Sequence, residues 1–212
     1  MSHTPKSARD KILRAADRLF GEVGFDAATT REIAELSGVN KALIHYHFDS
    51  KQALLAALLD DYYQRMRIEL TAALDLPGTA RQRLLRLIDA YHDLLERNRN
   101  FSRIVQREAS GGKHANRIRE LMGPLFELGT QLIKGAFPAT HDGELAAEQL
   151  MISFYGMIAG YFSYSGMLEP LLGGDPLSAQ NLARRRSHLR RMTQMLLDEL
   201  ERISTSEAED DG

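Results

Sequence analysis

The sequence has no cysteine in its 212 residues. That excludes disulfides, thiolate catalysis and cysteine-based zinc sites, and it fits an expected cytoplasmic location. Excess positive charge is also missing. The net charge is −2, so any nucleic-acid footprint must come from local arrangement. Residues 1–51 hold eight Lys or Arg against seven Asp or Glu, a single positive charge in excess. The first ten residues carry no apolar core and do not read as a secretory signal. No Ser/His/Asp order, P-loop, HExxH or dinucleotide glycine motif occurs. Asp60, Asp61 and Glu199 fall on helical faces that read as solvated, so no enzyme, cofactor or metal is expected. Sustained strand alternation and solenoid-length repeats are absent as well.

One charge-free run tests for a membrane span. Residues 149–168 are long enough to cross a bilayer. They contain Ser153, Ser163, Ser165 and three glycines, and Glu148 and Glu169 bracket them. The run reads as a helix inside a bundle, and no membrane partner is expected.

What is present is helical period. Hydrophobic residues make up 43% of the chain and charged residues 26%, the balance of a globular protein. Ser7 with Asp10 reads as a capping box opening a helix that carries Ile12, Ala16, Leu19, Phe20 and Val23 on one face. Gly24 ends it. Thr29 with Glu32 forms a second box before Ile33, Ala34 and Leu36. Gly38 interrupts, and Asn40 restarts a short helix to about Tyr46. Ser50 caps a long helix that ends before Pro77-Gly78. Thr79 opens another, to about Asn98. Further helices are expected over 100–110, from His114 to Phe137 with a cut at Gly123-Pro124, over 144–168 and over 177–203. Pro170, Gly173, Gly174 and Pro176 read as a loop. The fold class is all-α: an N-terminal three-helix helix-turn-helix domain over 1–52, a larger C-terminal helical bundle over 53–203, and a disordered acidic tail over 204–212.

The pair of helices around Gly38 carries the chemistry. A steep crossing needs a small residue at the contact, which Ala34 supplies, and Gly38 permits a left-handed turn. Ile33, Val39 and Ile44 are expected in a shared core with Leu19, Phe20 and Leu36. If Leu43 and Ile44 point inward, Lys41 and His45 share an outer stripe flanked by Asn40, Ala42 and Tyr46. Lys and Asn can address base edges, Ala a thymine methyl, and Tyr or His a phosphate. Thr29, Thr30 and Arg31, like Ser50 and Lys51, put a helix N-terminus beside a cation, which suits phosphate oxygens. His45 and His47 stand two apart and do not share a face for a metal.

This stretch, TTREIAELSGVNKALIHYHFDSKQALL, resembles the TetR family of bacterial transcription regulators. The shared pattern is a Thr-rich cap, IA, a glycine-valine turn, HF and SK followed by Leu. Two positions depart from it. His45 stands where Tyr is usual, with Tyr46 beside it, and Ala42 stands where Gly is common. The resemblance implies DNA contacts from Thr29, Arg31, Lys41, His45, Tyr46 and Lys51, with Asn40 and Ala42 on the same helix. It also implies a C-terminal domain with an effector pocket and a two-fold dimer interface. The expected partners are double-stranded operator DNA, a small-molecule effector and a second copy of the chain.

Beyond residue 55 no motif assigns roles. Aromatic and Met residues suit an adaptable apolar cavity, and the candidates are Tyr62, Met66, Tyr91, Phe101, Met122, Phe126, Met151, Phe154 and Tyr155, with His92 and Arg103 as polar anchors. For the dimer face, Gly156, Gly160 and Ser163 permit close helix approach, and Leu182, Leu189, Met192 and Leu196 form a stripe on the last helix.

Overall fold

The computed structural model describes residues 7–110 and 112–210. Among the described residues, ten α-helices and one short 3-10 turn follow in order: α1 Ala8–Val23, α2 Thr30–Ser37, α3 Lys41–Phe48, α4 Lys51–Asp75, α5 Ala80–Arg97, α6 Arg99–Ala109, α7 Ala115–Ala136, the turn Pro138–Thr140, α8 Ala147–Ser163, α9 Ser165–Leu172 and α10 Ala179–Asp210. No strand occurs among the described residues.

The chain divides into two units. The first holds residues 1–65 and 99–121, and the second holds 66–98 and 122–212. The sequence expectation put the boundary at 52/53. That point is already inside α4; the compact division falls later in the same helix, between 65 and 66, and α6 with the start of α7 groups with the N-terminal helices. The reason lies in α1, which packs along α6 as well as against α2 and α3.

In the first unit, α1 packs against α2, α3 and α6. Ile12, Ile33 and Ile44 are at most 1% exposed, and Phe20, Phe48, Phe101, Ile104 and Val105 are buried with them. Each such side chain contributes about 1.5–3 kcal/mol by leaving water. At Gly21 the helices α1 and α6 approach closely: a Cβ there would lie 2.5 Å from Asn100 Cγ. Asn100 Nδ2 donates to Asp17 Oδ2 at 3.2 Å. The expected caps form, with Ser7 and Asp10 closing one box and Thr29 and Glu32 the other. Gly38 adopts the left-handed conformation, φ 66° and ψ 28°. Three apolar expectations fail: Val23, Leu36 and Leu43 are 52%, 44% and 38% exposed. They sit at the margins of faces already filled by Phe20, Ile33 and Ile44.

In the second unit, α5 packs against α8 and α10. Leu84, Ile133, Phe137, Ala147, Leu150, Leu197 and Leu200 form one buried cluster. Ion pairs lace α5 to α10: Arg81 with Asp198 at 2.6 Å and Glu201 at 3.0 Å, Asp89 with Arg190 at 2.8 Å, and Asp93 with Arg186. The pairing of early α5 with late α10, and late α5 with early α10, makes the two helices antiparallel.

Two proline expectations are corrected. α7 runs unbroken through Pro124, and α9 contains Pro170. Both prolines are exposed, so solvent can take the carbonyl that each ring leaves unpaired four residues back. The break between α8 and α9 falls at Tyr164 instead. The backbone of α10 stays helical through 204–210, where an unstructured tail was expected. Ser204 Oγ bonds the Leu200 carbonyl, and Glu and Ala favour the helix. Residues 211 and 212 lie outside the described residues.

Candidate nucleic-acid interface

α3 is held from below by Ile44 and Phe48, 1% and 5% exposed. Asn40 caps it, its side-chain oxygen accepting from the Ala42 N–H at 2.9 Å. With those two residues turned inward, Lys41, Ala42, His45 and Tyr46 are all exposed, Tyr46 to 81%. The Tyr46 ring meets His47 edge-on at 5.1 Å between centroids. His45 Nδ1 lies 3.2 Å from the Asp49 carbonyl. Asp49 is the one non-glycine residue with positive φ among those described, and it turns the chain from α3 into α4. Leu43, expected inside, adds an apolar edge to this exposed surface. The four-residue spacing of Lys41 and His45, which puts them on one face, is the signal in the sequence that locates the stripe.

The flanking groups divide by how committed they are. Thr29 accepts from the Glu32 N–H at 3.2 Å, and its hydroxyl donates to the Glu32 carboxylate at 2.7 Å. The hydroxyl bond, followed by the Thr29 N–H that donates to the same carboxylate at 2.8 Å, holds the Glu32 carboxyl below its ordinary range. Thr30, half-buried, opens α2. Arg31 pairs with Glu35 at 3.0 Å, yet its side chain is 83% exposed. Such a surface pair is worth about 0–1 kcal/mol and yields readily to a phosphate. Lys51 differs. Its ammonium donates to the carbonyls of Phe25 and Ala28, each at 2.8 Å, and of Asp26 at 3.3 Å. It also sits 4.5 Å above the Phe25 ring. The three carbonyls occupy its donors, so this lysine braces the turn before α2.

Residues 12–58 match the family model of bacterial regulatory proteins, tetR family, and residues 81–193 match that of the tetracyclin repressor-like C-terminal domain. The second match alone spans more than half of the chain. The chain belongs to the TetR family. Among its relatives, the HTH-type transcriptional regulator YttP of Bacillus subtilis is 31% identical over 118 residues, 55% of this chain and 56% of that protein. The HTH-type transcriptional repressor KstR2 of Rhodococcus jostii is 30% identical over 155 residues, 65% of this chain and 72% of that protein. The solved structure of FadR from Bacillus subtilis in complex with stearoyl-CoA covers 86% of this chain and 96% of its own, with a TM-score of 0.69. Its identity is 17%, so the likeness shows the fold alone. The chain spans about half the length of relatives such as YttP. No helix among the described residues is long and apolar enough to cross a membrane.

The expected effector residues of this TetR-family chain separate between the two units. Tyr62, Phe101 and Arg103 belong to the first. The Tyr62 ring meets Phe101 at a 44° tilt with centroids 4.7 Å apart, and its hydroxyl donates to Asp17. Burial, reinforced by the Asp17 carboxylate, pushes its phenol above the ordinary value. Tyr62 and Phe101 are therefore core of the first unit. Met66, Tyr91, His92, Met122, Phe126, Met151, Phe154 and Tyr155 belong to the second. Three of them meet: Tyr155 stacks on Tyr91 at 6.3 Å and takes Phe126 edge-on at 5.4 Å. Met151 and Phe154 pack against the Leu84 cluster, Met66 is buried, and Met122 is half-buried.

The expected dimer stripe also splits. Leu182 and Leu189 are 2% and 1% exposed within one chain, so they are core and not contact surface. Met192 is 41% exposed, and Leu196 and Ser163 are half-buried. Gly156 is exposed and Gly160 half-buried, and a Cβ at either would meet nothing. Ile152 and Met195, which the sequence reading does not single out, are 57% and 52% exposed. Their spacing from Gly156 and Met192, four and three residues, was the available signal.

Proposed function

We propose that the protein is a homodimeric, ligand-controlled DNA-binding repressor. The observation that carries this reading is α3, a helix pinned by Ile44 and Phe48 that turns Lys41, Ala42, His45 and Tyr46 to solvent. A helix so mounted fits a DNA major groove. Lys41 and Asn40 are suited to base edges, Ala42 to a thymine methyl, and Tyr46 and His45 to phosphates. Thr29, Thr30 and Arg31, at the start of α2, supply further phosphate contacts. Two copies of α3 must then stand about one DNA turn apart, roughly 34 Å, or a small multiple of it.

The second copy is joined through the exposed face formed by Ile152 and Gly156 on α8 and Met192 and Met195 on α10. The effector is a small molecule bound in the second unit, with Tyr91, Phe126 and Tyr155 among its contacts. The KstR2 relative is named a repressor, which favours repression. The FadR structure holds stearoyl-CoA, which makes long-chain acyl thioesters the first effector class to assay. A hundredfold release from the operator requires about 2.7 kcal/mol of differential affinity between two states.

The test is fluorescence anisotropy with a DNA fragment flanking the gene. Lys41→Ala and Tyr46→Ala should each weaken binding by about 1–3 kcal/mol if a base contact is lost, with helicity and dimerisation unchanged. Full affinity in both variants would contradict the reading. Addition of an acyl-CoA should release the DNA, and an unchanged titration would remove this class of effector.

A further inference from the structure

His92 on α5 is an anomaly. Its side chain is 1% exposed, and neither ring nitrogen has a hydrogen-bond partner among the described residues. Its ring packs edge-on against Phe162 of α8 at 5.5 Å. An unpaired buried polar group costs about 1–3 kcal/mol, so nature rarely keeps one without a use.

The surroundings of Nδ1 indicate that use. It lies 3.7 Å from Asp93 Oδ1 and 3.9 Å from Glu96 Oε2, and the three atoms lie within 4.8 Å of one another. These gaps are too long for hydrogen bonds. They are slightly longer than the separation of two donors around one ion, roughly 3.3–3.6 Å when each metal–donor bond is about 2.0–2.2 Å. Asp93 and Glu96 side chains are 33% and 34% exposed and can close the difference by rotating. His92 and Glu96 stand four apart on one face of α5.

A positive charge already occupies this spot. Arg186 of α10 pairs with Asp93 and lies 3.4 Å from Glu96. It pairs with the carboxylates but makes no bond to the imidazole. A metal ion would engage Nδ1 and both carboxylates at once. We propose that His92 Nδ1, Asp93 and Glu96 bind a divalent first-row transition-metal ion, which displaces Arg186 from the two carboxylates. One imidazole with two carboxylates suits Zn²⁺, and the imidazole disfavours Mg²⁺. Displacement is cheap because the Arg186 side chain is 38% exposed and such pairs contribute little.

The experiment uses the full chain, stripped with EDTA and titrated with Zn²⁺ by calorimetry and with Co²⁺ by visible absorption. Expected are one ion per chain, no response to Mg²⁺, and at least tenfold tighter binding in Arg186→Met, which removes the competing cation. His92→Gln should abolish binding, and Glu96→Gln, on the partly exposed side of the site, should weaken it at least tenfold whether or not the His92 variant folds. Absence of stoichiometric binding in both wild type and Arg186→Met would overturn the proposal. Full binding in Glu96→Gln would place the ion elsewhere and overturn it equally.

Discussion

Lys51→Met separates a bracing lysine from a DNA-contacting one. The substitution keeps most of the aliphatic stem and deletes the ammonium that bonds the carbonyls of Phe25, Asp26 and Ala28. A hydrogen bond to a charged group contributes about 1.5–3 kcal/mol. Here three acceptors share one half-buried ammonium, so the combined loss should be about 2–3 kcal/mol rather than the sum of three full bonds. With a urea dependence of about 2 kcal/mol per molar, the unfolding midpoint should fall by about 1 M. The same variant is then titrated with operator DNA across a salt series. Each neutralised phosphate contributes about 0.9 to the slope of log K against log salt. The slope should match wild type, because the ammonium is spent on the turn before α2. An unchanged urea midpoint together with a slope reduced by about 0.9 would refute the assignment and return Lys51 to the phosphate contacts.

Leu189 and Met192 lie three residues apart on α10 but should behave oppositely. Leu189→Ala should destabilise the fold by about 2–5 kcal/mol, whereas Met192→Ala should leave the melting temperature nearly unchanged and weaken the dimer in analytical ultracentrifugation. Equal effects of the two on either measurement would contradict the division of that stripe. Gly21→Ala should lower stability by about 1–3 kcal/mol, because the new methyl meets Asn100 where α1 and α6 touch. A melting temperature equal to wild type would show that the contact relaxes freely.

Local chemistry made the caps legible. Ser7 with Asp10, Thr29 with Glu32 and Thr79 with Gln82 each close within one turn, and Ser50 accepts from the Ala53 N–H as its position predicts. The turn at Gly38 and the outward face of α3 followed from the same short-range rules. What the sequence hid depends on distant chain segments. Lys51 finds carbonyls more than twenty residues away, so its spacing after Ser50 reads as a DNA contact. Phe101 and Tyr62 look like pocket aromatics until α6 packs against α1 and claims them for the first unit. Leu182 and Leu189 fit a dimer stripe by period, but period alone does not say which neighbour covers a face. Pro124 shows the complementary error, since a proline on an exposed helix side need not break the helix.

The absence of cysteine permits a direct test of whether α3 enters the DNA groove. Ala42→Cys gives a unique thiol on the exposed face of α3, and iron-EDTA attached there cleaves whatever DNA lies within reach. Operator cleavage is expected at two positions separated by one helical turn, or a small multiple of it, and confined to the specific fragment. Cleavage spread evenly along the DNA, or none while the protein stays bound, would show that α3 does not enter the groove.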